Sequence, residues 1–202
     1  MLILFNLFYN KAPRYKTLFI DLDETLIHTC PSGDCPDHLI KGNDEKGNEI
    51  LIGLNMRPLC LEFLKKVSQY YEVYIFTAAT LNYANAVVNF LDPLGQIING
   101  VFSRNNCLVT KNGMFIKDLR IIKNRDLNNM ILIDNLAHSF GLQIDNGIPI
   151  LEFQNDRKDR ELKYIYDYLL GALYVDDLRA FNKKNLKLNC LASLRLEDLL
   201  KT

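Results

Sequence analysis

Asp21, Asp23 and Glu24 fall within four residues, directly after an apolar run, in the stretch "TLFIDLDETLIHT" at 17–29. Carboxylates packed this closely can serve as nucleophile, as general acid and base, or as oxygen ligands for a hard cation. A solvated turn or a helix N-cap uses the same residue types, so the rest of the chain must decide. A Walker B reading fails because the chain holds no G-x-x-x-x-G-K-[ST] to cradle phosphates. An EF-hand reading fails because the sixth residue from Asp21 is Leu26 where that loop needs glycine. Three further segments put chemistry-bearing residues after apolar stretches. These are Thr77 in "IFTAAT", Lys117 and Asp118 in "FIKDL", and Asp134 and Asn135 in "ILIDN".

The elements that would position these residues can be read from periodicity. Residues 17–22, 71–78 and 129–135 are short apolar runs without helical period, with "GIPILEF" as a shorter fourth, and they predict strands buried on both faces. Between them "PLCLEFLKKVSQY" and "LNYANAVVNFLDPLG" predict amphipathic helices, the second stopped by Pro93 and Gly95. Such alternation implies an α/β fold with a parallel sheet flanked by helices, and ligands in such sheets gather at the carboxyl ends of the strands. Two segments predict small β excursions near the mouth of the site: "GNDEKGNEILIGLNM", and "GVFSRNNCLVTKNGMFIKDL" with a hairpin turn at "KNG". Residues 159–181 predict a helix with Leu162, Ile165, Tyr166, Leu169 and Leu173 on one stripe, and the last twenty residues predict another short one.

At 202 residues the chain fits one domain with a small insertion. Lys and Arg number 24 and so do Asp and Glu, so no net field draws the chain to nucleic acid or an anionic membrane. No apolar run approaches the length of a membrane span. The opening "MLILFNLFYN" lacks the basic flank of a signal peptide and reads as an apolar arm over residues 1–16. Five scattered cysteines suit a reducing compartment, nucleus or cytoplasm. His28, Cys30, Cys35 and His38 are four zinc-capable residues within eleven, but without the paired C-x2-C pattern an ordinary loop reads equally well. A monomer is expected.

The ordered set "DLDETLIH" (21–28), "RP" with "EFL" (57–64), "YIFTAAT" (74–80), "FIKDL" (115–119), "LIDN" (132–135), "DNGIPI" (145–150) and "VDDLR" (175–179) resembles the haloacid dehalogenase superfamily. Within it, the set is similar to the Fcp/Scp-type phosphatases that act on the C-terminal domain of RNA polymerase II. The resemblance spans residues 17–180 and leaves 181–202 as a helical extension. It implies a Rossmann-like parallel sheet and a phosphatase acting on phosphoserine or phosphothreonine in a protein. It also implies Mg2+ held by the Asp21 carboxylate, the Asp23 carbonyl and Asn135, with Asp134 as ligand or close beside. Asp21 would be the nucleophile and Asp23 the general acid and base. Thr77, the backbone at Ala78 and Lys117 would hold the phosphoryl oxygens, with Thr25 orienting the nucleophile loop and Arg104 at the phosphopeptide entrance. The chain departs from the family's "DNSP" with "DNLAHS", and places Phe153 where a tryptophan is usual. The segment after the first motif is short of the aromatics that grip a substrate proline. A silent phosphopeptide-binding scaffold and a small-molecule phosphatase are the rival functions.

Overall fold

The computed structural model describes residues 16–30, 35–44 and 46–190. The predicted N-terminal arm, apart from Lys16, and residues 191–202 of the extension lie outside them. Strands are β1 (Thr17–Ile20), β2 (Ile27–Thr29), β3 (His38–Asn43) and β4 (Glu49–Met56), followed by helix α1 (Cys60–Val67) and β5 (Glu72–Phe76). Then come α2 (Leu81–Leu91), β6 (Ile98–Phe102), β7 (Leu108–Val109), β8 (Phe115–Ile116), β9 (Met130–Asp134), β10 (Gly147–Pro149), α3 (Glu161–Gly171) and α4 (Leu178–Leu186).

A five-stranded sheet of order β10-β9-β1-β5-β6 forms the centre, every neighbouring pair parallel. All four residues of β1 are buried, as expected of a middle strand covered on both faces. Alternation along the strands divides the core in two. Leu18, Ile20, Val73, Ile75, Ile131 and Ile133 face one side, where Phe63 and Leu64 of α1, Val87 of α2 and Leu162 and Leu169 of α3 close over them. Phe19, Tyr74, Phe76 and Leu132 face the other, under Phe102, Leu119 and Phe140. There the Phe19 ring lies 5.7 Å from Tyr74 and 5.9 Å from Phe102, within the range of favourable aromatic pairing. Phe140 crosses so close to the start of β10 that a Cβ on Gly147 would lie 2.2 Å from its ring, which is why that strand opens on glycine.

The haloacid dehalogenase-like α/β architecture expected from the sequence is present, with differences in its parts. The first strand stops at Ile20 rather than residue 22, because Asp21 N–H still donates to Ile133 O but Leu26 and Ile27 N–H turn back onto Leu22 O. The segment opening "GVF" is not wholly an excursion: Ile98–Phe102 joins the main sheet as its fifth strand, and only β7 and β8 form the hairpin. The insertion before α1 is larger than a turn and one strand, since β2, β4 and β3 make an antiparallel sheet. The helix predicted over 159–181 breaks after Gly171. It resumes at α4, where the Asp177 carboxylate caps by accepting from Arg179 and Ala180 N–H. Lys16 ties into this break, its Nζ donating to the carbonyls of Ala172, Leu173 and Val175 at 2.7 Å each.

Candidate active site

The carboxyl ends of β1, β5 and β9 lie side by side, so the residues that follow them converge. Asp21 leaves β1, Thr77 leaves β5 with its N–H donating to Phe102 O, and Asp134 closes β9. Lys117 arrives from outside the sheet, just after β8, its N–H donating to Ser139 O at 2.7 Å. Together they border a cavity of about 450 Å³, shared with Asp23, Ala78, Arg104 and Asn135.

Lys117 Nζ donates to Asp21 Oδ1 at 2.5 Å and to Asp134 Oδ2 at 2.6 Å. All three side chains are buried. The other oxygen of each carboxylate is also engaged: Asp134 Oδ1 accepts from Leu136 N–H at 2.8 Å, and Asp21 Oδ2 accepts from the Thr25 hydroxyl at 3.2 Å. That hydroxyl lies 3.4 Å from Asn135 Oδ1 as well, which brings the Asn135 amide oxygen to the Asp21 carboxylate. Burial, with the charge of Asp134 adding to it, pushes the Asp21 carboxyl up to about 7 against the pull of Lys117. Burial also raises Asp23. For Lys117 burial works against the charge, but the Asp21 and Asp134 carboxylates outweigh it and hold the ammonium above its usual range.

Three carboxylates, Asp21, Asp23 and Asp134, thus face one ammonium in a confined space. The Asn135 amide oxygen lies beside them, an all-oxygen donor set with excess negative charge. Such a set fits a hard divalent cation.

The remaining expected residues fall as follows. Thr25 is fully buried and does not line the cavity; its hydroxyl meets Asp21 Oδ2 and lies near Asn135 Oδ1. Thr77 turns its hydroxyl oxygen onto Ala79 N–H at 3.0 Å. Arg104 Nε donates to Ala78 O at 2.8 Å, and its guanidinium lies 5.5 Å from the Phe115 ring centre, at the exposed rim. Asp118 is buried and caps the turn Leu119–Ile121 through Arg120 N–H instead of joining the cavity. Of the two β excursions, only the β7–β8 hairpin borders the cavity, through Gly113, Met114 and Phe115. Around the cysteine-bearing loop, His28 Nδ1 lies 3.1 Å from Glu24 Oε1 while the His38 ring packs at a tilt against Phe90, centroids 4.9 Å apart. Among the described residues no three histidines, cysteines or acids form a metal cluster there.

The nucleophile loop is braced from behind. Arg57, fully buried, donates from Nη1 to Thr25 O at 3.0 Å and from Nη2 to Leu151 O at 2.7 Å, and forks onto Asp159 through Nε and Nη2. Phe153, under the guanidinium, donates its N–H to Glu24 O at 2.7 Å. Glu24 itself takes a left-handed backbone (φ 56°), a conformation that costs about 1–3 kcal/mol in a non-glycine residue and needs such bracing. Tyr83 and His138 were given no role from the sequence, and Leu136 entered only as part of the "DNLAHS" departure: His138 and Leu136 line the cavity, and the Tyr83 hydroxyl bonds Asp23 Oδ1.

Fold and site define a haloacid dehalogenase-like protein with an acid-rich centre at the strand ends. Residues 16–179 match the model of the NLI interacting factor-like phosphatases, and the chain belongs to that family. It is 37% identical to the CTD small phosphatase-like protein 2 of Dictyostelium discoideum, over 88% of this chain and 31% of that one. It is 32% identical to nuclear envelope morphology protein 1 of Saccharomyces cerevisiae, over 81% and 40%. It is also 32% identical to CTD nuclear envelope phosphatase 1 of Xenopus tropicalis, over 85% and 72%. The chain therefore spans less than half the length of the first two of these relatives. A solved structure of the fission yeast RNA polymerase II CTD phosphatase Fcp1, bound to beryllium fluoride, shares the fold with a TM-score of 0.57 at 21% identity, covering 89% of this chain and 56% of that one.

Proposed function

We propose that this chain is a Mg2+-dependent phosphoprotein phosphatase that removes phosphate from serine or threonine through an aspartyl-phosphate on Asp21. The observation that carries the proposal is the Asp21 carboxylate held at the cavity by Lys117 on one oxygen and Thr25 on the other. A phosphate monoester is a dianion, and like unit charges about 4 Å apart repel by about 4 kcal/mol at an effective dielectric near 20. Lys117 offsets part of that repulsion. Mg2+, held by the Asp21 carboxylate, the Asp23 carbonyl and Asn135 with Asp134 alongside, would supply the remaining positive charge for the phosphoryl oxygens.

In the first step the Asp21 carboxylate oxygen forms a bond to phosphorus as the ester P–O bond breaks, and Asp23 gives its proton to the departing alkoxide. The raised pKa of Asp23 suits an acid that must begin protonated. In the second step Asp23 takes a proton from water, whose oxygen attacks phosphorus and releases Asp21 and inorganic phosphate. Thr77 and the Ala78 N–H would face the equatorial oxygens, and Arg104 stands at the rim toward the peptide. The relatives named as CTD phosphatases and the RNA polymerase II CTD phosphatase that shares the fold support a protein substrate with the polymerase tail as one candidate, and the nuclear-envelope names support a site of action at the nucleus.

Phosphate release from p-nitrophenyl phosphate and phosphoserine peptides with Mg2+ tests the proposal. Asp21→Asn should lose roughly 10³-fold or more of turnover. Equal turnover in the variant overturns the nucleophile assignment, and peptide binding without turnover in the unmodified protein favours a scaffold.

A further inference from the structure

Helix α2 brings a phenol to the general acid. Tyr83 sits in its first turn, and its side chain leaves the helix toward Asp23, sixty residues earlier in the chain, where the hydroxyl bonds Oδ1. Thr29, at the end of β2, joins them: its Oγ1 lies 2.5 Å from the Tyr83 hydroxyl and 3.4 Å from the same Asp23 oxygen. Tyrosine has one hydroxyl proton. An unprotonated carboxyl oxygen can only accept, so Tyr83 is the donor to Asp23 Oδ1 and Thr29 the donor to Tyr83. Oδ1 therefore accepts from the Tyr83 hydroxyl, and Thr29, its one proton given to the phenol oxygen, holds that phenol in place. Among the described residues no side chain bonds Oδ2.

We infer that Tyr83, seconded by Thr29, is a positioning residue for the general acid: it locks Asp23 in one rotamer with Oδ1 turned away, so that Oδ2 carries the proton toward the leaving oxygen. This rests on the phosphatase reading above and adds a partner that the order of motifs does not contain. A free carboxylate rotates about χ2 and exchanges its oxygens, so the proton faces the substrate only part of the time; a phenol donor fixed on one oxygen, itself held by Thr29, removes that freedom. The helix supplies the phenol because α2 is itself held over the insertion sheet. A Cβ on Gly42 of β3 would lie 3.1 Å from Ala86 Cβ, so helix and strand pack at the closest approach that glycine allows.

The position of the proton matters in proportion to how badly the leaving group needs it. p-Nitrophenolate departs without help, whereas a serine alkoxide does not. The test is kcat/KM for a series of aryl and alkyl phosphates, phosphoserine peptide included, in the unmodified protein, Tyr83→Phe and Thr29→Val, with thermal melting to verify the fold. Tyr83→Phe keeps the ring and should lower kcat/KM for the alkyl esters about tenfold or more while changing p-nitrophenyl phosphate less than about threefold. Thr29→Val should follow in the same order with a smaller effect. A fall uniform across the series, or none, overturns the positioning role while leaving the phosphatase reading intact. An unmodified protein inactive on every ester removes both.

Discussion

Lys117 Nζ stands 2.5 Å from Asp21 Oδ1 and 2.6 Å from Asp134 Oδ2, so a single buried ammonium is shared by two buried carboxylates contributed by different strands. Lys117→Met removes the shared partner and leaves both acids uncompensated. The expected cost in metal-free protein is about 3–5 kcal/mol. Urea unfolding followed by far-ultraviolet circular dichroism measures it, since the chain has no tryptophan to report by fluorescence. An unchanged midpoint would contradict the shared-charge account.

A divalent cation that binds the folded site should stabilise the fold by mass action. At a hundred times its dissociation constant, Mg2+ is expected to add about 2.7 kcal/mol. Asn135→Ala, which removes an oxygen donor, should shift that dependence to higher Mg2+ concentration. Melting curves over a Mg2+ titration decide the matter, and superimposable titrations for the two proteins would remove Asn135 from the metal set.

Arg57 holds the carbonyls of Thr25 and Leu151 together while pairing with Asp159. Arg57→Lys keeps the charge but loses the planar fork that reaches three partners. A stability loss of about 2–3 kcal/mol is expected from charged hydrogen bonds left unmade. Because the Thr25 carbonyl belongs to the nucleophile loop, kcat should fall more than KM rises. A stability loss with kcat unaffected would confine Arg57 to a role in folding.

Asp92, just past α2, accepts from the N–H groups of Gln96, Ile97 and Ile98 at 3.0, 2.8 and 2.8 Å. Burial opposes the charge, but these donors outweigh it and hold the carboxyl below its ordinary range. A depressed folded-state value means stability that is present above the unfolded pKa of about 3.9 and lost as pH falls through the folded one. Asp92→Asn should therefore cost about 1–3 kcal/mol at neutral pH, and the gap between the two proteins should narrow below about pH 4. Urea midpoints at pH 7 and pH 3 read the difference directly; a gap independent of pH would mean the loss is one of packing.

Much of the fold was legible because it rests on local pattern. The runs "TLFI", "EVYIF" and "MILID" are apolar but for one end residue each and buried at every position, as a strand covered on both faces requires. The fifth strand, "INGVF", was read with the β excursion that follows it, because Asn99 and Gly100 break its apolar run; it sits at the sheet edge, where full burial is not demanded. The break between α3 and α4 was hidden by an apolar stripe that continues to Leu173 past the end of the first helix. Tyr83 could not be found by pattern at all. In "LNYANAVVNF" an aromatic at helical spacing reads as core, and nothing near it in the chain names Asp23 as its partner.

By itself, the order of residues determined that acids, a threonine, a lysine and an Asp-Asn pair would follow buried strands, since alternation and turn chemistry act over a few residues. Only the tertiary structure decided which oxygen of each carboxylate meets which donor, that Thr25 meets Asp21 without lining the cavity, and that Tyr83 and Thr29 face Asp23. Those outcomes depend on contacts between elements tens of residues apart, where helix packing and strand register set positions to a fraction of a hydrogen-bond length.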